Sequence, residues 1–369
     1  MTVKRVLPMR VIALLVMAVA LFASIQVHGQ GAAAPAPSSS TAWGPLQLLD
    51  REIPAGQKRK FRYQLTQTFE GSFLDTVVFV ARGAKPGPTL CLTALIHGDE
   101  RNGFEIVRES FARLDPARLS GTLIAVPAAN ANGFRTGSRY MPDRRDLNRA
   151  FPGKAGSDNT ALIAGILYST LSEHCDALID LHTGSFDRAN LPQVRVDLAN
   201  AKALELARRF GATVVLGGAG PKGSLRREMM DAGIPSIIYE AGLPLRFEPM
   251  EIEHGVQGVR NIMIGLGMSN GQATAPTPEA RIFSRANWVR VPLGNGGVFY
   301  PVRKLGDSVR KGDFIARIFD PFTDERFDLP SPLEGQIIGM AVPQIVFSGY
   351  ALVHVASAPV SEARAFRPE

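Results

Sequence analysis

The sequence is poor in cysteine and in charge, and each shortage excludes a class of protein. Its 369 residues include only Cys91 and Cys175, too few for a disulfide scaffold, and neither has metal-ligand spacing. Charged residues make up 20% and hydrophobic residues 45% of the chain, which excludes a disordered protein and a coiled coil. Both thiols lie in apolar surroundings, and the sequence leaves open whether they pair or stay free.

A strong excess of positive charge is also absent. The formal net charge is +7, and residues 1–29 supply Lys4, Arg5 and Arg10 with no acid, so 7 − 3 leaves +4. A surplus this small over the remaining chain does not indicate a nucleic-acid partner, and we expect none.

The N-terminus has the pattern of an export signal. Cationic residues precede the apolar run 11–24 (VIALLVMAVALFAS), and small residues follow near Gly29. The run is short for an uncleaved membrane anchor, which is the alternative, and no later segment is long and apolar enough to span a bilayer. We therefore expect a signal peptide at 1–29, a periplasmic or secreted protein without a membrane partner after cleavage, and a flexible linker at 30–43.

Short apolar runs alternate with helical periodicity through the middle of the chain. This alternation predicts an α/β layer domain at 44–270 with a largely parallel sheet, then a linker at 271–280 and a small β domain at 281–369. The pattern predicts strands at 58–65, 75–81, 89–96, 121–127, 177–181, 213–216 and 235–239, and helices at 102–114, 161–174, 201–210, 225–232 and 251–266.

Three predicted strands end in side chains that bind metals or move protons. His97 and Glu100 follow the strand at 89–96, His182 follows 177–181, and Glu240 follows 235–239. Carboxyl ends of strands in open α/β sheets gather ligands, so we expect these groups to converge. Two imidazoles and one carboxylate are the ligand set of a catalytic zinc, with Asp180 as a candidate partner that orients an imidazole.

An arginine-rich segment lies between these strand ends. Residues 134–153 carry five arginines among Gly, Pro and Asn residues, a composition typical of neither strand nor helix. Guanidinium groups match carboxylates and stabilise oxyanions, so an anion-binding loop is favoured over a merely solvated surface. The other histidines, His174, His254 and His354, have no such context and are predicted to be surface or packing residues.

Four ordered motifs carry a family resemblance: 95–103 (LIHGDERNG), 146–153 (DLNRAFPG), 180–184 (DLHTG) and 239–242 (YEAG). Together they resemble the succinylglutamate desuccinylase/aspartoacylase family, a branch of the zinc carboxypeptidase (M14-like) superfamily. The resemblance implies a zinc-carboxypeptidase-like α/β/α layer domain with a mostly parallel mixed sheet. It also implies one Zn2+ per chain on His97, Glu100 and His182.

The same resemblance implies roles for further residues. Glu240 resembles the catalytic carboxylate, which serves first as base and then as acid. Arg139 resembles the arginine that polarises the scissile carbonyl, and Arg145 is the alternative for that role. Asn148 and Arg149 resemble the pair that binds the substrate carboxylate. Arg195 resembles a further residue that binds a carboxylate. Tyr300 and Tyr350 are candidates for a C-terminal active-site tyrosine by residue type alone.

The segment after residue 281 resembles the two halves of a biotinyl/lipoyl-type barrel. A carrier domain needs a modifiable lysine at the hairpin between the halves, and that hairpin reads DPFTDER. Lys304 and Lys311 lie on another turn. We therefore expect an unmodified β-barrel that walls the active site.

These observations favour an exported zinc deacylase that acts on a small carboxylate-bearing N-acyl amino acid. The alternative is a metallocarboxypeptidase acting on peptides or cell-wall peptides, which would share the ligand set and the base. A non-catalytic binding protein would lack a ligand or the base, and neither is missing. The acyl group, the amino-acid side chain and the oligomeric state, including a homo-oligomer, are left open.

Overall fold

The computed structural model describes residues 43–67, 71–154, 156–274 and 280–359. The predicted signal peptide and linker residues 30–42 and 275–279 lie outside the described residues. Within the described part, no helix combines the length and the hydropathy needed to cross a bilayer.

Five strands come first, and helices are interspersed with strands from there as far as residue 265. The strands are β1 (Leu46–Leu48), β2 (Arg51–Ile53), β3 (Gln57–Gln67), β4 (Phe73–Arg82), β5 (Lys85–Ala94), β6 (Ser120–Val126), β7 (Ala177–His182), β8 (Arg188–Val196), β9 (Val214–Gly217) and β10 (Ser236–Gly242). The helices are α1 (Asn102–Arg113), α2 (Ala131–Thr136), α3 (Asn159–His174), α4 (Ala201–Phe210), α5 (Leu225–Asp231) and α6 (Pro249–Gly265), with a 3₁₀ turn at Leu147–Arg149.

The central sheet is mixed, with parallel strands in its middle. Its order over this part of the chain is β3-β4-β6-β5-β7-β10-β8-β9. The run β6-β5-β7-β10 is parallel, as expected for buried apolar strands, whereas β3, β4 and β8 join antiparallel neighbours. The sequence pattern missed β8, because Pro192 and the buried polar residues Asn190 and Gln193 interrupt its apolar alternation.

Helices cover both faces of this sheet. α1, α4 and α6 share one apolar core with the sheet, and α3 and α5 share the other core on the opposite face. Polar side chains define where helices begin: Asp158 accepts a hydrogen bond from the Ala161 amide, and Asn200 accepts one from the Ala203 amide. The α/β class predicted from sequence is therefore confirmed.

A disulfide links Cys91 on β5 to Cys175, which directly follows α3. The two Cα atoms are 5.7 Å apart and the cysteines are 84 residues apart in sequence. The two cysteines therefore pair, a question that the sequence left open. The disulfide fixes the end of α3 to the sheet.

The C-terminal strands extend the same sheet. They are β11 (Arg281–Arg290), β12 (Gly297–Pro301), β13 (Ser308–Val309), β14 (Phe314–Phe319), β15 (Arg326–Pro330), β16 (Gly335–Ala341), β17 (Gln344–Val346) and β18 (Ala351–Pro359). β11 runs parallel to β9, and β16 pairs with β8. A separate four-stranded sheet has the order β15-β14-β12-β17. These pairings place the C-terminal strands beside β8. The domain boundaries at 44–270 and 281–369, and the resemblance to a biotinyl/lipoyl-type barrel, stay predictions.

Candidate metal centre

The adjacent strands β5, β7 and β10 bring the metal-binding candidates to one edge of the sheet. His182 is the last residue of β7 and lies in register with Glu240 on β10. His97 and Glu100 follow the end of β5 on the other side of β7. Parallel register therefore produces the convergence that the sequence predicted.

His97, Glu100 and His182 form a compact buried cluster. His97 Nδ1 lies 2.8 Å from Glu100 Oε1, and His182 Nδ1 lies 2.6 Å from Glu100 Oε2. One donor atom from each of the three residues lies within 4.8 Å of the other two. Two imidazole nitrogens and a carboxylate at this spacing fit a single divalent transition metal with a position left open for water or substrate.

Carboxylates on the far side of each imidazole support this fit. Asp180 Oδ2 lies 2.9 Å from His182 Nε2, and Asp146 Oδ1 lies 3.1 Å from His97 Nε2. Such contacts fix ring orientation, so the other nitrogen of each ring faces the cluster, where it could bind a metal. The sequence indicated Asp180 but not Asp146, although Asp146 opens the DLNR motif.

The cluster carries strong local electrostatics. Burial raises the pKa of Glu100, but the facing imidazoles of His97 and His182 outweigh it, so the pKa lies well below its usual range. Burial lowers the pKa of His182, but Asp180 and Glu100 outweigh it and raise the pKa well above its usual value. Positive charge beside Glu100 therefore favours its ionised form, and a divalent cation would supply such a charge.

The backbone around His97 is shaped for this geometry. Leu95, two residues earlier, has φ = 53°, a left-handed conformation that non-glycine residues seldom adopt. A Cβ atom at Gly98 would collide with the backbone at Gly133. The glycine therefore allows the His97 loop to pack closely against α2.

Arg139 reaches the cluster from the arginine-rich loop. Its Nη1 donates to Ser185 Oγ at 2.7 Å and lies 3.3 Å from Glu100 Oε1. Its Nη2 donates to Asp146 Oδ2 at 2.9 Å. Asp146 thus contacts both Arg139 and His97, which couples the position of the guanidinium to that of a candidate metal ligand.

Glu240 faces the same cavity and has two protein partners. Arg195 Nη1 lies 3.0 Å from Glu240 Oε1, and Asn190 Nδ2 donates to Glu240 Oε2 at 2.6 Å. Both partners come from β8, the strand that the sequence pattern missed. The structure therefore places Arg195 beside Glu240, where it orients the carboxylate.

Asn148 and Arg149 lie beside the N-terminus of α5. Asn148 Oδ1 accepts a hydrogen bond from the Leu225 amide, and Arg149 donates to the Asn148 carbonyl oxygen. Arg145, the rival of Arg139, does not line the cavity: its exposed side chain pairs with Asp158 at 3.2 Å.

A cavity of about 200 Å3 is lined by the three candidate metal ligands, by Glu240, and by the predicted asparagine and arginines other than Arg145. Its wall also contains side chains that the sequence pattern did not indicate: Ser185, Arg188, Asn190 and Trp288. The first three lie in or near the missed strand β8, and Trp288 comes from β11. The signal for the first three in the sequence was position, since they follow the DLHTG motif directly, whereas Trp288 lies far from that motif along the chain.

The C-terminal tyrosines lie in different places. Tyr350 donates a hydrogen bond to the Phe186 carbonyl oxygen in the turn after β7. Tyr300 is exposed on β12, in the four-stranded sheet. His354 is buried and its ring stacks on Trp288 with centroids 4.3 Å apart, so it is a packing residue.

Comparison with known proteins gives consistent results. Residues 86–266 match the succinylglutamate desuccinylase/aspartoacylase catalytic domain. The chain is 27% identical over 259 residues to the N-alpha-acetyl-L-2,4-diaminobutyric acid deacetylase of Halomonas elongata, covering 68% of this chain and 75% of that protein.

Two solved structures share the fold. The product-bound ectoine utilization protein EutE (DoeB) from Ruegeria pomeroyi is 25% identical with a TM-score of 0.75, over 83% of this chain and 97% of that chain. A succinylglutamate desuccinylase/aspartoacylase from Rhodobacter sphaeroides is also 25% identical with a TM-score of 0.75, over 83% of this chain and 96% of that chain.

Proposed function

The chain belongs to the succinylglutamate desuccinylase/aspartoacylase family, and from this premise we propose that it is an exported zinc-dependent deacylase of N-acyl amino acids. The observation that carries the proposal is the single cavity in which a His-Glu-His cluster, a carboxylate and several guanidinium groups meet. The deacetylase of Halomonas elongata supports an amide substrate of this class.

His97, Glu100 and His182 would hold the zinc ion, each through one donor atom. When bound there, zinc would supply Lewis acidity, polarising the amide carbonyl and acidifying water. Asp146 and Asp180 would keep the two imidazole rings oriented toward it. Two imidazoles and one carboxylate also suit other divalent metals, so the choice of zinc is part of the proposal.

Arg139 and Glu240 would perform the protein's part of the chemistry. Glu240 would accept a proton from the attacking water and deliver it to the amine nitrogen as the C–N bond breaks. Arg195 and Asn190 hold its carboxylate in place for both transfers. Arg139, anchored by Asp146 and Ser185, would stabilise negative charge on the former carbonyl oxygen.

The shape of the cavity favours a small substrate over a peptide. Its volume of about 200 Å3 is below the roughly 300–1,000 Å3 of sites for drug-sized ligands. Arg149 lines it and forms no ion pair with a carboxylate of the described residues, so it can bind the substrate carboxylate. Trp288, on a C-terminal strand, also lines the cavity.

Export is supported by two features of different kinds. The N-terminal apolar run with its preceding cations is typical of a signal peptide. The disulfide between Cys91 and Cys175 suits an oxidising compartment such as the periplasm.

A hydrolysis screen tests the proposed function. The zinc-loaded protein is given N-acetyl and N-succinyl amino acids, free-carboxylate dipeptides and cell-wall peptides, each with and without a chelator. We expect chelator-sensitive release of amino acid from the N-acyl amino acids alone. Cleavage of peptides alone would overturn the deacylase assignment and identify a metallocarboxypeptidase.

A further inference from the structure

A second cavity lies at the C-terminal ends of α1 and α6 and shares no lining residue with the cavity of the candidate metal centre. Its walls are the last turn of α1, the C-terminal half of α6 and the segments that follow each helix. Its volume is about 520 Å3, which lies within the roughly 300–1,000 Å3 of small-molecule sites. The cavity is therefore large enough for a ligand of its own.

The floor of this second cavity is aliphatic. Leu119, Val256 and Met263 are buried in it, and the half-buried Leu114 lines the same wall. None of the described residues that line the cavity is aromatic, so a nucleobase or another flat ring would find no ring to stack on. Because removing apolar surface from water is favourable, this floor suits an alkyl chain.

Two exposed arginines, Arg118 and Arg260, also line the second cavity. Neither forms an ion pair with a carboxylate anywhere in the part of the chain that the structure describes. Arg260 Nη1 donates to the Gln272 carbonyl oxygen at 3.3 Å, which leaves its other nitrogens for a ligand. Guanidinium groups of this kind bind a carboxylate through charge-assisted, bidentate hydrogen bonds.

The other charged groups in the wall have protein partners. Arg113 donates to Glu109 and to Glu253, so its charge is balanced and it links α1 to α6. Asp115 is the acid among the lining residues, and its Oδ1 accepts a hydrogen bond from the Ala117 amide at 3.0 Å. The charges of the wall therefore favour an anionic ligand.

A buried hydroxyl group in the wall also lacks a partner. Ser110 is only 6% exposed, and its Oγ forms no hydrogen bond with the residues that the structure describes. It lies on α1 one turn before Leu114, which lines the same cavity. Since a buried hydroxyl without a partner costs free energy, a ligand with an acceptor oxygen would be favoured here.

We propose that this cavity is an accessory binding site for an aliphatic carboxylate of medium chain length. Its alkyl chain would lie on the floor formed by Leu114, Val256 and Met263, and its carboxylate would bind Arg118 and Arg260. An alcohol of the same length would lose the charge-assisted contacts, and an alkylamine would be repelled by the two guanidinium groups.

Calorimetric titration of the full chain with sodium octanoate, below the concentration at which it forms micelles, tests this site. We expect Arg118→Gln combined with Arg260→Gln to weaken binding about tenfold or more. Arg108→Gln is the matched control, since Arg108 is an exposed arginine of α1 that does not line the cavity, and it should bind as wild type does. Octan-1-ol and octylamine should bind wild type about tenfold more weakly than octanoate, or less tightly still.

Hydrogen–deuterium exchange with and without octanoate locates the bound ligand. Slower exchange is expected at residues 110–119 and 256–270, and the double variant should lose this protection. Absence of octanoate binding, wild-type affinity in the double variant, or protection confined to residues 97–100 beside the candidate metal centre would overturn the site. Neither measurement uses hydrolysis, so failure of the deacylase assignment leaves this result unchanged.

Discussion

Replacing Asp146 by asparagine is expected to weaken both the metal site and catalysis. Asp146 Oδ1 lies 3.1 Å from His97 Nε2, and its Oδ2 accepts from Arg139 Nη2 at 2.9 Å. Asparagine keeps the size but turns one oxygen into an amide donor that faces a guanidinium. Loss of such an outer contact to a ligand costs about 10- to 100-fold in metal affinity or activity. That range equals about 1.4–2.7 kcal/mol, and the double contact favours its upper half.

Competitive titration with a chromogenic zinc chelator measures the affinity, and initial rates of deacylation measure activity. The matched control is Asp143→Asn in the same loop, since Asp143 hydrogen-bonds Thr160 at the start of α3 and does not line the cavity. The control should retain wild-type zinc affinity. If Asp146→Asn also stays within twofold of wild type in both measurements, the coupling of His97 to Arg139 through Asp146 is refuted.

Three other perturbations have defined outcomes. Arg149→Ala should raise KM about tenfold or more, whereas Arg145→Ala should leave it unchanged; equal effects would contradict the assignment of the substrate carboxylate. Cys91→Ser removes the bridge to Cys175, which closes a loop of 84 residues. The free energy of unfolding should fall by about 4 kcal/mol, and an unchanged midpoint of denaturant unfolding would contradict this. Burial lowers the pKa of His354 to about 3, whereas an unfolded histidine has a pKa near 6.5, so between these pH values protons bind the unfolded chain preferentially. The free energy of unfolding should therefore fall by up to about 1.4 kcal/mol per pH unit as the pH drops from 6.5 toward 3. His354→Phe should flatten this slope in pH-dependent thermal melts, and an unchanged slope would refute the reasoning.

The sequence predicted the parts of the site that depend on local pattern. His182 and Glu240 follow continuous apolar runs, and parallel neighbours place such strand ends together. The His97 and Glu100 pair follows a third run in the same way. The order of motifs along the chain was therefore enough to predict the cluster.

The rest depends on long-range pairing that no local pattern encodes. β8 joins the sheet antiparallel to β10, carrying Arg188, Asn190 and Arg195 into the cavity despite a proline and several polar residues. Trp288 reaches the cavity because β11 pairs with β9 across a long sequence separation. Arg139 and Arg145 lie in one irregular loop, and only tertiary contacts with Asp146 and Asp158 distinguish them.

The most direct test of the account compares turnover by wild type and Glu240→Gln at equal metal content. Zinc is measured by elemental analysis, and acyl release from the preferred N-acyl amino acid is measured with and without a chelator. We predict one zinc per chain in both proteins, chelator-sensitive turnover in wild type, and at least a hundredfold lower kcat in Glu240→Gln. Wild-type turnover that survives complete metal removal, or a fully active Glu240→Gln, would contradict the account.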